Sequence, residues 1–391
     1  MGGWVAIRVP VCYNRASKST CETCVTATLP LASAIIDQEV VFKSAFKVVL
    51  EGIEQRAFPG ASVSITHQGA LVAHRGFGHY TYEKKARAVD AESIFDIASL
   101  TKVVATTAMA MLLHERGMLD LDSFIIGTLP EFAVADDRRD QVTFRMLLAH
   151  SAGLPAWIPL YKKAHSRANM LQAAAEVPLA SDPGSRAEYS DVGFILLGEA
   201  LEQLSGSPLD TFCDLDIFKR LEMKLTRFNP DKKLKAQIVP SANGQGTRNR
   251  VIQGEVNDEN AFAMGGIAGH AGLFSTAADL ARFSHCLLRG GAPVFKPESV
   301  ALFTRREETP QGTSRALGWD TPSKPSQSGQ YFYPGSFGHL GYTGTSLWID
   351  PERELSVTLL TNRTWPDGKN QAIKELRPRF HDAVIEAIDR D

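Results

Sequence analysis

Ser99-Leu100-Thr101-Lys102 follows the strand-like run Ile94-Phe95-Asp96-Ile97-Ala98 and opens the apolar segment 103–113, which reads as a helix. A serine and a lysine three positions apart at a helix start share one face, one turn apart. That spacing lets an amine take the proton from a hydroxyl, which a serine must lose to become a nucleophile. Taken alone, the pattern equally describes a helix N-cap serine beside a surface lysine. The rest of the chain decides between these readings.

Two further motifs lie downstream. Tyr189-Ser190-Asp191 follows the turn Asp182-Pro183-Gly184-Ser185 and precedes the apolar run Val192-Gly193-Phe194-Ile195-Leu196-Leu197. His339-Leu340-Gly341 lies in a glycine-rich strand that leads through Tyr342-Thr343-Gly344-Thr345 into a hairpin turning at Asp350-Pro351-Glu352-Arg353. Glycine within a strand marks close approach of another backbone or a ligand.

Together the three motifs resemble the serine β-lactamase and penicillin-binding-protein superfamily, with its S-x-x-K, Y-x-N and K-T-G or H-x-G elements. The resemblance spans roughly residues 40 to 385. It is nearest to the branch of class C β-lactamases, D-alanyl-D-alanine carboxypeptidases and β-lactamase-like esterases. His150-Ser151-Ala152-Gly153-Leu154-Pro155, Gly265-Gly266-Ile267-Ala268-Gly269-His270-Ala271-Gly272 and Leu359-Leu360-Thr361-Asn362-Arg363 support it.

The resemblance implies an α+β fold, an antiparallel sheet flanked by helices beside a mainly α-helical lobe, with the active site in the cleft. The chain reads the same way on its own. Val40 to Gln55 is an amphipathic helix, and Ala61 to Gly78 a hairpin turning at His67-Gln68-Gly69-Ala70. Helical patterns dominate from Ser99 to about Arg289, strand-like runs return from Leu317 to Thr361, and a helix near Lys369 to Ile388 closes the chain. The sheet lobe is expected at about 39–98 and 290–391, and the helical lobe at about 99–289. Thr276-Ala277-Ala278-Asp279 has the capping-box form, with aspartate at its fourth position.

The resemblance also assigns roles. Ser99 forms an acyl-enzyme, Lys102 is a buried amine whose pKa nearby positive groups and burial depress, and Tyr189 passes a proton to the leaving group and then activates water. Asp191 stands where relatives carry asparagine; it can accept a hydrogen bond from Lys102 but favours the charged lysine. His339 stands where many relatives carry lysine and attracts a substrate anion only when protonated. Leu340 lacks the family's threonine hydroxyl, for which Thr343 or Thr345 are candidate replacements. Glycine at 341 lets the backbone come close, so that the N–H groups of Tyr342 and Ser99 form the oxyanion hole. Asp191, His339, Gly341 and Tyr342 are thus the substrate-binding set. His270 either lines the cleft mouth or pins its loop through backbone hydrogen bonds, and His150 reads as structural.

The 391 residues carry 42 basic and 44 acidic side chains, a net charge of −2, so nothing points to nucleic acid or an anionic membrane as partner. No apolar stretch is long enough to span a bilayer. Residues 1–38 read as an extension, disordered or a poor export signal, and truncation before about Asp37 is expected to leave activity intact. Cys21-x-x-Cys24 lacks two more ligands at matching spacing, and no P-loop or dinucleotide glycine fingerprint occurs, so neither a metal nor an organic cofactor is implied. Five cysteines, an odd count, fit a reducing, cytoplasmic compartment, with export as the alternative. The substrate is a small ester or amide. Losing lysine at 339 and threonine at 340 weakens carboxylate recognition and favours a carboxylesterase over a β-lactamase or D-alanyl-D-alanine carboxypeptidase. A penicillin-binding sensor that acylates without turnover is the third reading.

Overall fold

The computed structural model describes residues 31–35, 37–244 and 248–390. The Cys21-Cys24 pair and most of the segment read as an extension lie outside them. In chain order the strands are β1 (Ala32–Ser33), β2 (Gly60–His67), β3 (Ala70–Gly78), β4 (Phe95–Asp96), β5 (Arg227–Phe228), β6 (Ala242–Asn243), β7 (Val251–Ile252), β8 (Leu273–Ser275), β9 (Phe337–Leu340), β10 (Ser346–Asp350) and β11 (Leu355–Thr361).

Six of them form the main sheet, in the order β1-β3-β2-β11-β10-β9. Early and late strands meet at its centre, where β2 and β11 pair antiparallel with Val63 opposite Leu359. Every residue of β11 is buried, as expected of a central strand covered on both faces. One face packs on helices Lys43–Glu54 and Ile373–Ile388 through Phe46, Val49, Leu376, Phe380 and Val384. Helix Ala277–Leu288 covers the other, with Ser64 Oγ donating to the Ala277 carbonyl at 2.8 Å. The β2–β3 turn places Gln68 at φ 48° and Gly69 at φ 82°, the paired positive angles of a type I′ hairpin. Between residues 99 and 289 lie mostly helices, around a separate large core. The fold is the mixed sheet-and-helix arrangement expected from the sequence.

Three local expectations are corrected. Strand structure returns only at Phe337, not Leu317; residues 305–336 run irregularly, joined to the sheet by the single bridge Asp320 to Gly338. Prolines 310, 322, 325 and 334 interrupt that stretch, and proline cannot donate to a ladder. The capping box is half formed: the Thr276 side chain accepts from Asp279 N–H, but the Asp279 carboxylate turns away to Leu225 N–H and Thr226 Oγ1. Ala32–Ser33, placed in the extension, pairs in parallel with β3.

Candidate active site

The chain reaches Ser99 through a strained turn. β4 is only two residues long, and Ala98 then takes φ 48°, a left-handed conformation that side-chain-bearing residues rarely adopt. Its N–H donates to Asp96 Oδ1 at 2.9 Å, and its carbonyl accepts from Thr101 Oγ1 at 2.6 Å. A tight 3₁₀ turn, Ala98–Leu100, carries Ser99; wider π-type turns follow over Lys102–Thr107 before a regular helix begins at Ala108. Such widened turns gather at functional sites.

Lys102, Tyr189 and Asp191 all meet beside Ser99. Lys102 Nζ lies 3.2 Å from Ser99 Oγ, and Tyr189 Oη donates to the same oxygen at 2.7 Å. Lys102 Nζ also donates to Asp191 Oδ1 at 2.6 Å and to the His270 carbonyl at 2.9 Å. Asp191 starts helix Asp191–Ser205, whose N-cap Ser190 accepts Gly193 N–H through its side chain. His150 packs between the rings of Tyr189 and Phe194 and accepts Ser190 N–H at Nδ1, at 3.0 Å, so it braces the phenol from behind.

Charge in this cluster departs from expectation. The Lys102 side chain is fully buried, and burial opposes its charge, but Asp191 and Tyr189 together outweigh it and hold the amine above its ordinary pKa, not below. Burial pushes the Tyr189 phenol up to about 12 against the pull of Lys102. Asp191, placed among the substrate-binding residues, is therefore first the counter-ion of Lys102.

His339 is also corrected. Burial, then Lys102 and Arg315, drive its pKa well below 6.5, so it is a neutral imidazole and not an anion-attracting cation. Its Nδ1 pairs with the Leu340 carbonyl at 2.8 Å. Thr343 and Thr345 do not replace the missing hydroxyl: they are buried and donate to the carbonyls of Asp96 and Ile97, at 2.8 and 3.0 Å. Those bonds fasten the end of β9 to the Ser99 turn. A Cβ on Gly341 would lie 2.6 Å from the Ile97 carbonyl, so only glycine fits. His270 pins its loop through a side chain: Nε2 lies 2.9 Å from Asp258 Oδ1.

Ser99, Tyr189, Asp191, His339, Gly341 and Tyr342 line one cleft of about 770 Å³, with Trp157 and Tyr342 exposed at its edge. Arg315, Arg363, Lys374 and Arg377 share that lining. Arg363 closes the stretch 359–363 that supports the resemblance, without a role assigned to it; the other three come from an irregular loop and the last helix, with no motif to mark them. The Arg315 guanidinium sits 5.6 Å from the Tyr189 ring centroid. Among the described residues no group of histidine, cysteine and carboxylate side chains is arranged to hold a metal, and no helix is long and apolar enough to cross a membrane.

A family model, "Beta-lactamase", matches residues 45–377. The chain belongs to the beta-lactamase family. Among curated relatives, it is 31% identical to N-acetylmuramyl-L-alanine amidase of Bacillus subtilis (strain 168), over 78% of this chain and 77% of that protein. It is 33% identical to a putative D-alanyl-D-alanine carboxypeptidase of Salmonella agona (strain SL483), over 69% of each. Among solved structures, EstCE1, a hydrolase with promiscuous acyltransferase activity, superposes with TM-score 0.72 at 22% identity, over 88% of this chain and 98% of that one. The octameric penicillin-binding protein homologue from Pyrococcus abyssi gives TM-score 0.66 at 22% identity, over 85% and 75%. The family and the curated relatives are hydrolases, and this beta-lactamase-family chain shares their fold.

Proposed function

We propose that this chain is a serine hydrolase that acts on small esters or amides through an acyl-enzyme on Ser99. The observation that carries the reading is the convergence of Lys102 Nζ and Tyr189 Oη on one serine oxygen, at 3.2 and 2.7 Å, inside a cleft.

The protonation states favour a relay through the phenol. With Tyr189 near 12 and Lys102 above its ordinary value, neither is a ready base at neutral pH. As Ser99 Oγ bonds to the substrate carbonyl carbon, its proton passes to Tyr189 Oη while the phenolic proton passes to the leaving group. No free phenolate forms. Charged Lys102 stabilises the negative charge that develops on the two oxygens. The N–H groups of Ser99 and Tyr342 receive the carbonyl oxygen. Water then replaces the leaving group, and the relay runs in reverse to release the acid.

Carboxylesterase-like turnover is the leading activity; β-lactamase and D-alanyl-D-alanine carboxypeptidase activities, the latter named in curated relatives, are the alternatives. A second reading rests on the 2.6 Å contact between Asp191 and Lys102: a lysine locked in its charged form slows deacylation, leaving a stable adduct. The test incubates the protein with p-nitrophenyl butyrate, nitrocefin and a D-alanyl-D-alanine peptide and follows product and intact mass. Turnover of the ester alone supports the esterase, and a persistent mass increment without product supports the sensor. Ser99→Ala is expected to abolish both; activity that survives it sinks the nucleophile assignment.

A further inference from the structure

Both ends of the Ser99–Lys102 unit are anchored to one segment, residues 257–270. At one end Asn257 N–H donates to Asp96 Oδ2 at 2.6 Å, and Asp96 Oδ1 holds Ala98 N–H at 2.9 Å, one residue before Ser99. At the other, the His270 carbonyl accepts Lys102 Nζ at 2.9 Å. Asp258 follows Asn257 in sequence, and its Oδ1 meets His270 Nε2 at 2.9 Å. The circuit from serine to lysine is thereby closed through a side-chain contact that the reaction itself does not use. Burial fits this role: the His270 side chain is 1% exposed, and its Nδ1 finds no partner. Facing a carboxylate, which only accepts, Nε2 is the donor of this bond.

We propose that His270 is a positioning residue, whose hydrogen bond to Asp258 fixes the carbonyl that aims the Lys102 amine at Ser99. The inference rests on the hydrolase reading of Ser99 and deepens it. An amine displaced by about 1 Å loses much of its benefit to the reacting oxygen.

The test compares His270→Met, which keeps bulk but removes the donor, with His270→Gln, which keeps an N–H in reach of Asp258. A fluorophosphonate labels Ser99 in the full chain, and saturation kinetics separate its binding constant from its bonding rate. His270→Met is expected to lower the bonding rate at least about tenfold with binding unchanged within about twofold, and His270→Gln to stay within about threefold of the parent. A His270→Met rate equal to the parent's, or His270→Gln as slow as His270→Met, overturns the proposal. Ser99→Ala reports separately on the hydrolase reading. A second readout needs no Ser99 chemistry: the ε-¹³C resonance of Lys102 is expected to shift in His270→Met and to hold in His270→Gln. An unmoved resonance in His270→Met also overturns it.

Discussion

The Asp191–Lys102 pair sets the chemistry available to Ser99. Its 2.6 Å contact is buried on the lysine side and keeps the amine charged. Asp191→Asn removes the counter-ion and leaves burial, which favours the neutral amine, to prevail. If charged lysine serves the relay, kcat for an ester falls about tenfold at neutral pH and the alkaline limb of its pH profile moves down. A faster Asp191→Asn enzyme at neutral pH would instead make neutral Lys102 the base. Arg315 argues a second case. With His339 neutral, the profile is expected to lack an inflection near 6.5 from that ring, and the second cation beside the Tyr189 ring, at 5.6 Å after Lys102 at 4.8 Å, is Arg315. Arg315→Gln is expected to lower kcat/KM for a carboxylate-bearing ester about tenfold more than for its neutral analogue; equal losses would remove Arg315 from substrate recognition. At this scale the sequence was legible where a motif fixes a spacing, as for Ser99 with Lys102. It was silent on Arg315, which arrives from a loop with no periodicity. It set the Lys102 shift downward while naming Asp191 as favouring the charged amine, because whether burial or a counter-ion 89 residues away in sequence prevails is decided only in the buried space they share.

Elements place these residues by mutual fastening. The Ser99 turn, β4 and the β9–β10 connection are tied through Thr343 and Thr345, so a change in one moves the others. Gly341→Ala forces a Cβ against the Ile97 carbonyl and Thr345 Oγ1, which separates β9 from the turn. Loss of one oxyanion donor typically costs about 3–4 kcal/mol, so labelling of Ser99 is expected to fall at least about a hundredfold while the melting temperature drops by a few degrees; labelling that falls only as far as stability does would remove Tyr342 N–H from the site. Asp96 gives β4 a pH signature. Burial, outweighing the N–H bonds from Asn257 and Ala98, pushes its carboxyl up to about 6 from 3.8. A raised acid stabilises the fold while protonated and loses that contribution as pH climbs through its folded value. The shift corresponds to about 3 kcal/mol lost between about pH 4 and pH 6. Urea midpoints are expected to show a flatter slope across this window in Asp96→Asn than in the parent; parallel slopes would contradict it. The hairpin and terminal helices were readable from alternation and turn residues. The wide turns after Lys102 were not, since they answer to tertiary bonds such as that from Thr106 Oγ1 to the Gly269 carbonyl.

Across the whole molecule, the sheet's late strands, the last helix and the helical region contribute opposite signs to one cleft. Its carboxylates are already engaged: Asp191 by Lys102, Asp258 by His270, Glu259 by Arg248 at 3.2 Å and Asp320 by Arg315 at 3.7 Å. Arg363 and Arg377 have no carboxylate within ion-pair reach among the described residues, although both are at least nine-tenths buried. Arg363 donates Nε to the Tyr342 carbonyl at 2.7 Å and Nη1 to the Gly368 carbonyl at 3.1 Å, and among the described residues Arg377 donates to Gln327 Oε1 at 2.9 Å. Burial, and then Arg363, push Arg377 down to about 9, so its charge lacks a neutralising partner. An anion entering this end meets arginines already desolvated and held in place, a stronger attraction than surface lysines offer. The expectation that losing lysine at 339 disfavours anionic substrates therefore runs against the charge balance of the folded cleft. Between matched esters, the one with a terminal carboxylate is expected to have the lower KM, by about tenfold at low salt, with the advantage shrinking as ionic strength rises. Arg377→Met is expected to erase the preference through KM while leaving kcat for the neutral ester within about twofold, since Arg377 touches neither Ser99, Lys102 nor Tyr189. A parent enzyme that favours the neutral ester at every salt concentration would show that these arginines serve packing rather than recognition.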